Sequence, residues 1–271
     1  MSQFLDFVRP RVTGDLVSLD IEQQAAADFG LSLAETQIML LEDGLLPARY
    51  QRNRTMLSTE EQLRLCRSTV AVIGCGGLGG YIIEELARLG IGAITAVDPD
   101  VFDEHNLNRQ LLSAPRLLGH AKVDAAAQRV EDINPAVRVR AEKRAYGEGP
   151  GSNLLQGVEV VVDALDNLAV RRKLGAECRL LGIPWVHGAI AGWFGQVGTF
   201  FPEDTLPEQL QETGPEKGVE TELGNPSFTP AVVASLQVAE VCKILIERGT
   251  PLRGRMLNID LKDMEFVEIP L

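Results

Sequence analysis

Cysteines are few in this sequence, and long hydrophobic runs are missing. The four cysteines lie far apart and form no CxxC pair, which argues against a disulfide framework or a zinc knuckle and favours a reducing cytoplasm. No uncharged apolar run reaches the roughly 18 to 20 residues that cross a bilayer, and the start, MSQFLDFVRPRV, lacks the apolar core of a signal peptide. We therefore expect a cytoplasmic protein with no membrane segment.

Two catalytic motifs and an excess of positive charge are also absent. The sequence has no GxxxxGK[ST], which excludes a P-loop, and no GxSxG, the turn that presents a nucleophilic serine. Lys and Arg together number 26 against 38 Asp and Glu, and the resulting net charge of −12 argues against nucleic acid or an anionic membrane as the main partner. A local basic pocket for phosphate groups is compatible with this charge.

The sequence does contain a regular alternation of strand and helix patterns after a helical beginning. Residues 1–48 have helix-period apolar positions that end at Gly44 and Pro47, and we interpret them as a small extension for packing or dimerisation. Beyond residue 68 the alternation predicts a Rossmann-like, doubly wound α/β fold with a mainly parallel sheet. The predicted strands are 69–73, 93–97, 137–141, 159–163 and 185–188, and the predicted helices are 79–89, 122–133 and 169–181.

The C-terminal part predicts antiparallel additions to this sheet. A strand is expected at 195–201, followed by an acidic, proline-rich crossing loop to residue 230 and an amphipathic helix at 231–248. Two final strands, 255–261 and 265–271, form a predicted hairpin. Residues 49–271 are therefore expected to make one domain.

A glycine-rich turn joins the first of these strands to its helix. Gly74, Gly76 and Gly79 satisfy GxGxxG, and Gly77 adds a further glycine. Such glycines permit a tight turn and let phosphate oxygens approach the N–H groups at the positive end of a helix. The turn predicts a nucleotide site, and the alternative is a turn that is glycine-rich only for packing.

The residues after the second strand help to distinguish NAD from ATP as the bound nucleotide. Asp98 ends that strand at the distance expected of an acidic residue that holds ribose hydroxyls, which alone would indicate NAD. Arg109 and Lys122 then add a planar cationic fork and a point charge, which suit an enzyme that cleaves ATP. Because a P-loop is excluded, Lys122 is the candidate for the phosphate-binding lysine, although each cation taken singly is also explained as a surface residue.

Acidic residues after the fourth strand are candidates for a metal site. Asp166 is expected at the carboxyl edge of the sheet, where a carboxylate can hold Mg²⁺ against a triphosphate, whereas we interpret Asp163 as structural. The alternative is that Asp166 or Asn167 caps the next helix. His187 ends a neighbouring strand, and either contact with the substrate or a structural role is compatible with that position.

Six blocks of sequence resemble, in order, the HesA/MoeB/ThiF group of ubiquitin-activating-like adenylyltransferases. They are RYQRN at 49–53, GCGGLGG at 74–80, DPDVFDEHNLNRQ at 98–110, GHAKVDAAAQRVEDINP at 119–135, DALDN at 163–167 and LQVAEVCKIL at 236–245. Members of this family adenylate the C-terminal glycine carboxylate of a small ubiquitin-like protein, commonly a sulfur carrier, with ATP and Mg²⁺. The resemblance implies that residues 49–271 are an ATP-binding adenylation domain, that the partner is a carrier ending in Gly-Gly, and that the protein is a homodimer.

The resemblance also implies roles for individual residues. The turn from Gly74 to Gly79 would face phosphate, Asp98 would bind ribose, and Asp166 would hold the metal. The triphosphate contacts would be Asn106, Arg109 and Lys122, and the nucleotide-binding set would also include Gly76, Gly77, Asp100, Gln110 and Asn167. A neighbouring subunit would supply Arg52, with Arg54 as its rival, so the expected catalytic set is Arg52, Arg109, Lys122 and Asp166.

Two departures from the family pattern narrow the expected chemistry. Many relatives bind structural zinc through two CxxC pairs, which this chain lacks, so we expect no zinc. Relatives that form a thioester or persulfide carry a cysteine in the crossing loop, and residues 201–230 contain none. Adenylation is therefore expected to be the last step that this protein performs.

Three other functions compete with this interpretation. A different acceptor, such as the carboxylate of a modified tRNA adenosine, keeps the ATP chemistry but agrees poorly with a net charge of −12. A nicotinamide-dependent oxidoreductase would use the glycine turn and Asp98 but would leave Arg109, Lys122 and Asp166 without a task. A non-catalytic scaffold would need none of these charged groups.

Overall fold

An eight-stranded mixed sheet forms the body of this computed structural model, which describes residues 2–147, 154–204 and 223–271. Its strands are β3 (Thr69–Ile73), β4 (Ala93–Val97), β5 (Arg138–Glu142), β6 (Val160–Asp163), β7 (Trp185–Ala191), β8 (Phe194–Phe200), β9 (Arg255–Asp260) and β10 (Glu265–Pro270). Two short strands, β1 (Leu16–Val17) and β2 (Leu46–Pro47), pair in parallel apart from this sheet.

The order of the strands places a ligand crevice at a predictable edge. The sheet runs β10-β9-β8-β7-β6-β3-β4-β5, with β5, β4, β3, β6 and β7 parallel and the remaining pairs antiparallel. Because β3 pairs with β4 on one side and with β6 on the other, the winding direction reverses at β3. Ligands of open α/β sheets bind beyond the carboxyl ends of the strands at such a reversal. The predicted doubly wound fold with antiparallel C-terminal strands is confirmed.

Eight α-helices accompany the strands in the described part of the chain. They are α1 (Ser2–Val8), α2 (Leu19–Phe29), α3 (Leu33–Glu42), α4 (Thr59–Arg67), α5 (Gly77–Leu89), α6 (Lys122–Ile133), α7 (Leu168–Leu181) and α8 (Phe228–Ile246). Of these, α5, α6, α7 and α8 pack on the two faces of the large sheet. Since neighbouring residues of a strand point to opposite faces, Val70 and Val72 pack in the cluster that contains α5, α6 and α8, while Ala71 and Ile73 pack in the one that contains α7. Burial on both faces explains why β3 is an unbroken apolar run.

Helix α8 is apolar because it belongs to the core. By length and composition it is the one helix among residues 2–147, 154–204 and 223–271 that is able to cross a membrane. It lies against β7, β8 and α5, and Val233, Ala234, Val238 and Val241 are buried there. Packing against the sheet and α5 therefore accounts for the apolar surface of α8.

Residues 2–48 form an extension with a small core of its own. Phe4, Val8 and Leu40 are buried in that core. The extension is joined to the main body at Tyr50, which is fully buried and whose hydroxyl lies 3.0 Å from Gln37 Oε1 and 2.8 Å from Asn134 Nδ2. A role of the extension in dimerisation stays a prediction.

Some predicted boundaries were wrong by a few residues. Helix α5 begins at Gly77, two residues before the predicted start, because the glycine cluster hides the first helical turn. Strand β7 continues to Ala191 because it pairs with β8 along its whole length. Helix α8 begins at Phe228, since Pro230 falls in the first turn, where no N–H is needed. Most of the predicted crossing loop, residues 205–222, lies outside the described residues.

Candidate active site

Two glycines of the segment from Gly74 to Gly79, which spans the turn after β3 and the start of α5, are required by packing. Gly74 has a φ of +98°, and a Cβ there would lie 2.5 Å from the carbonyl oxygen of Ala164. At Gly79 a Cβ would collide with the carbonyl group of Gly74, only 2.7 Å from its carbon. Because a tightly packed interior leaves no room for such a group, these glycines let the turn pack against the end of β6.

At the two glycines between them, Gly76 and Gly77, a Cβ would meet only ordinary contacts. A Cβ at Gly77 would lie 3.7 Å from Pro230 and 3.9 Å from Nε of Arg109, and at Gly76 the nearest atom would be Nε2 of Gln110 at 3.5 Å. Helix α5 begins here without a side-chain cap, so its positive end is directed to the space beside these glycines. We call this space, bounded by these five residues, the phosphate cradle.

A buried lysine lies beside the turn with two carboxylates. Asp98 accepts the N–H of Cys75 through Oδ2 at 2.7 Å and the N–H of Asp100 through Oδ1 at 2.8 Å. Lys122 Nζ is 2.8 Å from Asp100 Oδ2 and 4.0 Å from Asp98 Oδ1. Burial raises the pKa of Asp98, and the positive charge of Lys122 opposes that rise. Asp98 thus holds the turn in place, and its contact with ribose stays a prediction.

The loop after β4 supplies the remaining polar wall. Buried Asn106 accepts the N–H of Asp103 at 3.0 Å and so stabilises the loop, while Arg109 donates to the side chain of Asn108 at 2.9 Å. Gln110 is buried, and its Oε1 has no hydrogen-bond partner among the described residues. Since buried polar atoms are normally hydrogen-bonded, Oε1 is an acceptor that a donor of a bound ligand would satisfy.

Asp166 stands exposed at the end of β6, near Arg109. Burial lowers the pKa of Arg109, and the charge of Asp166 acts in the opposite direction, which places the two groups within electrostatic range. Of the two capping candidates, Asn167 is the cap, because its Oδ1 accepts the N–H groups of Ala169 at 2.9 Å and Val170 at 3.0 Å. Asp166 has no hydrogen bond or ion pair within the described part of the chain, so its carboxylate is available to a metal.

The arginines of the RYQRNR segment are used differently. Arg49 Nη2 lies 2.8 Å from Oε2 of Glu22, and Arg54 is ion-paired with Asp15 of the extension. Arg52 is exposed and makes no hydrogen bond or ion pair with any residue that the structure describes. The geometry therefore favours Arg52 over Arg54 as the arginine offered to a neighbouring subunit, a role that stays a prediction.

Asp163 and His187 form a buried pair behind this site. His187 Nδ1 is 2.9 Å from Asp163 Oδ2, which supports the structural interpretation of both residues. A third member, Arg171, was not singled out from the sequence, and its Nε is 2.7 Å from the same oxygen. The sequence signal for it is weak: a basic residue, Arg171, lies in the first turn of α7, and the preceding strand β6 ends with the acidic residue Asp163.

The comparisons with known proteins agree with this geometry. Residues 50–271 match the model of the ThiF family. The chain belongs to the ThiF family. It is 37% identical over 227 residues to the SAMP-activating enzyme E1 of Haloferax volcanii, which covers 82% of this chain and 84% of that protein. It is 34% identical over 236 residues to the sulfur carrier protein adenylyltransferase of Thermus thermophilus, which covers 80% of this chain and 84% of that protein.

Solved structures show the same ThiF fold. The crystal structure of E. coli MccB with ATP has a TM-score of 0.68 at 19% identity and covers 82% of this chain and 70% of that one. The structure of PaaA has a TM-score of 0.67 at 19% identity and covers 82% of both chains. At these identities the likeness establishes the fold, while the enzyme class, adenylyltransferase, follows from the closer relatives.

The described residues of this ThiF protein fit ATP and one hard cation. A Cβ at Gly77 would meet only ordinary contacts with Pro230 and Arg109. The unused acceptor Oε1 of Gln110 suits a hydroxyl or amino donor of the nucleoside and not an ionised phosphate. Asp166 offers the carboxylate oxygen that Mg²⁺ prefers. Residues 2–147, 154–204 and 223–271 contain no group of three or more His, Cys, Asp or Glu that would hold a metal. Magnesium at Asp166 would therefore take its other ligands from phosphate oxygens and water.

Proposed function

We propose that this protein uses ATP and Mg²⁺ to adenylate the C-terminal glycine carboxylate of a small ubiquitin-like carrier protein. Relatives named as a SAMP-activating E1 and as a sulfur carrier protein adenylyltransferase support this substrate class. The observation that carries the proposal is the phosphate cradle at the start of α5, with Arg109 at its wall and Asp166 within electrostatic range of that arginine. A carrier that ends in Gly-Gly is the expected partner.

The residues of the site suit this chemistry. An oxygen of the carrier carboxylate attacks the α-phosphorus of ATP, the bond from that phosphorus to the bridging oxygen breaks, and pyrophosphate leaves with the electron pair. Lys122 and Arg109 would neutralise the charge that develops on the phosphates, and catalysis would consist mainly of positioning and electrostatic stabilisation. A magnesium ion held by Asp166 would supply further positive charge. This step requires neither a general acid nor a covalent enzyme intermediate.

The state of the cysteines supports adenylation as the last step. Burial raises the pKa of Cys66 to about 11, and it raises the pKa of the other three thiols as well. A thiol with a raised pKa is a poor nucleophile at neutral pH, because the thiolate is the reactive form. Transfer of the activated carboxylate would therefore belong to another protein or to a sulfur donor.

The competing acceptors and cofactors have less support. A tRNA substrate would need a basic face, whereas the chain carries a net charge of −12. NAD would leave Arg109, Lys122 and Asp166 without a task, whereas ATP and Mg²⁺ would use all three. The proposal also includes a cytoplasmic homodimer that contains no zinc and in which Arg52 reaches the site of the neighbouring subunit.

The first test compares thermal unfolding midpoints with ATP and Mg²⁺ and with NAD⁺ or NADH. A ligand that binds only the folded state stabilises it by about 2.7 kcal/mol at a hundredfold excess over its Kd. We expect a rise with ATP and Mg²⁺ that is lost in Arg109→Ala. Stabilisation by NADH and not by ATP would overturn the proposal.

A further inference from the structure

Three buried charged or polar side chains meet directly behind the loop that carries Asp166. Asp163, at the end of β6, is ion-paired with Arg171, whose Nε lies 2.7 Å from Asp163 Oδ2, and Nδ1 of His187 lies 2.9 Å from the same oxygen. Arg171 comes from α7 and His187 from β7, and all three side chains are almost completely buried. None of the three belongs to the residues that bound the phosphate cradle.

These side chains hold the backbone on one side of Asp166. Asp163 Oδ1 accepts the N–H of Leu165 at 2.9 Å, and Arg171 Nη2 donates to the carbonyl oxygen of Leu165. Both polar backbone groups of the preceding residue are thus fixed. Arg171 Nη2 also lies 3.2 Å from the carbonyl oxygen of Gly188, which ties the loop to β7.

The other side of Asp166 is fixed as well. Asn167 caps α7 by accepting two N–H groups of its first turn. On the sheet side, Ala164 donates its N–H to Ile73 of β3 at 2.9 Å. The exposed carboxylate of Asp166 therefore projects from a short loop whose backbone is held before and after it.

The protonation states give this cluster a definite hydrogen-bond direction. Although burial acts to raise it, the pKa of Asp163 is lowered, chiefly by Arg171 and then by His187. Burial lowers the pKa of His187, so the ring is neutral at pH 7. Because an ionised carboxylate only accepts, Nδ1 of His187 carries the ring proton and donates it to Asp163.

A contribution to folding stability does not by itself explain why Asp163, Arg171 and His187 are buried together. Burying an ion pair removes two charges from water, and apolar residues of similar volume often stabilise a protein as well or better. What apolar residues lack is the ability to fix both backbone groups of Leu165. In metal sites, outer groups that orient the ligands affect metal affinity or activity by about 10 to 100-fold.

We propose that Arg171 and His187 are positioning residues for adenylation, which act through Asp163 and Leu165 to fix the direction of the Asp166 carboxylate toward magnesium. The inference rests on the proposed function, since it requires Asp166 to be a metal ligand. A purely structural role would change stability, whereas a positioning role changes the concentration of metal that the enzyme needs.

The test measures metal binding directly as well as activity. Manganese is titrated into the folded protein with a non-hydrolysable ATP analogue and followed by electron paramagnetic resonance, and the Mg²⁺ dependence of ATP–pyrophosphate exchange is measured in parallel. In Arg171→Lys, which keeps the charge but loses the fork, we expect metal affinity to fall by about tenfold and saturating Mg²⁺ to restore much of the rate. Arg172→Lys is the matched control, since this neighbouring arginine of α7 makes no hydrogen bond or ion pair with the described residues.

A second pair of variants guards against loss of folding in Arg171→Lys. His187→Leu removes the donor to Asp163, whereas His187→Asn keeps a nitrogen donor at the position of Nδ1. Metal affinity should fall in the first and recover in the second. If metal affinity is normal in Arg171→Lys and His187→Leu but is lost in Asp166→Asn, the positioning role is overturned and the metal site of the proposed function stands. Normal metal affinity in Asp166→Asn would instead contradict the metal site of the proposed function.

Discussion

Replacing Gly77 with alanine tests the phosphate cradle without disturbing the fold. The new methyl group would stand at ordinary contact distance from Pro230, 3.7 Å, and from Arg109, 3.9 Å, so no atom has to move. Gly77 is the first residue of α5, and alanine is up to about 1 kcal/mol more favourable than glycine in helices. Folding stability without ligand should therefore be unchanged or slightly higher. The methyl group would occupy space that a phosphate needs, and we expect ATP affinity to fall at least tenfold, about 1.4 kcal/mol.

Gly79→Ala is the matched control for packing. Its methyl group would collide with the carbonyl group of Gly74, so the turn must shift, at a cost of about 1 to 3 kcal/mol or more. That loss should lower the thermal midpoint without ligand, by about 2 to 4 °C per kcal/mol in a chain of this size.

The assay is thermal unfolding with and without ATP and Mg²⁺. At an ATP concentration a hundredfold above the Kd of the unmodified protein, stabilisation should be about 2.7 kcal/mol, and a tenfold weaker site reduces it to about 1.4 kcal/mol. Full ATP stabilisation in a folded Gly77→Ala variant would refute the position of the cradle. An unchanged ligand-free midpoint in Gly79→Ala would refute the distinction between the two kinds of glycine.

Three further predictions concern charged residues. Lys122→Met should lower the rate of ATP–pyrophosphate exchange by about 10²- to 10³-fold, and a near-normal rate would exclude the lysine from the site. Arg52→Ala should reduce exchange strongly while Arg54→Ala changes it by about twofold at most, and mixed dimers of Arg52→Ala with Lys122→Met should regain activity if the arginine acts across the interface. Burial raises the pKa of Glu22 to about 7 from an ordinary value of 4.5, so the folded state binds the extra proton and stability falls as the pH rises between these values. Glu22→Gln should remove that part of the fall in thermal midpoint, and an unchanged pH profile would show that Glu22 is already ionised.

The parallel core was predictable from the sequence because its physical signals are local. Strands β3 and β4 begin and end at the predicted residues, since continuous apolar runs there are bounded by glycine, aspartate or serine. A local signal was overlooked at two helices, where Ser32 with Glu35 and Ser58 with Glu61 form capping boxes at the starts of α3 and α4.

The detailed use of the site residues was not predictable, because it depends on contacts between distant segments. GxGxxG does not distinguish Gly76, which borders the cradle, from Gly79, which packs on Gly74. Arg54 is ion-paired with Asp15, a residue 39 positions away in the sequence. Arg171 gains its importance from the carbonyl group of Leu165, which no spacing rule reveals.

The most direct test of the proposed function is exchange of labelled pyrophosphate into ATP with a ubiquitin-like carrier present. Exchange reports reversible formation of an acyl-adenylate and requires both substrates. We predict exchange with a carrier that ends in Gly-Gly and none when its terminal glycine is removed. Exchange that is independent of the carrier, or absent with every Gly-Gly carrier of the same organism despite ATP binding, would contradict adenylation of a carrier carboxylate.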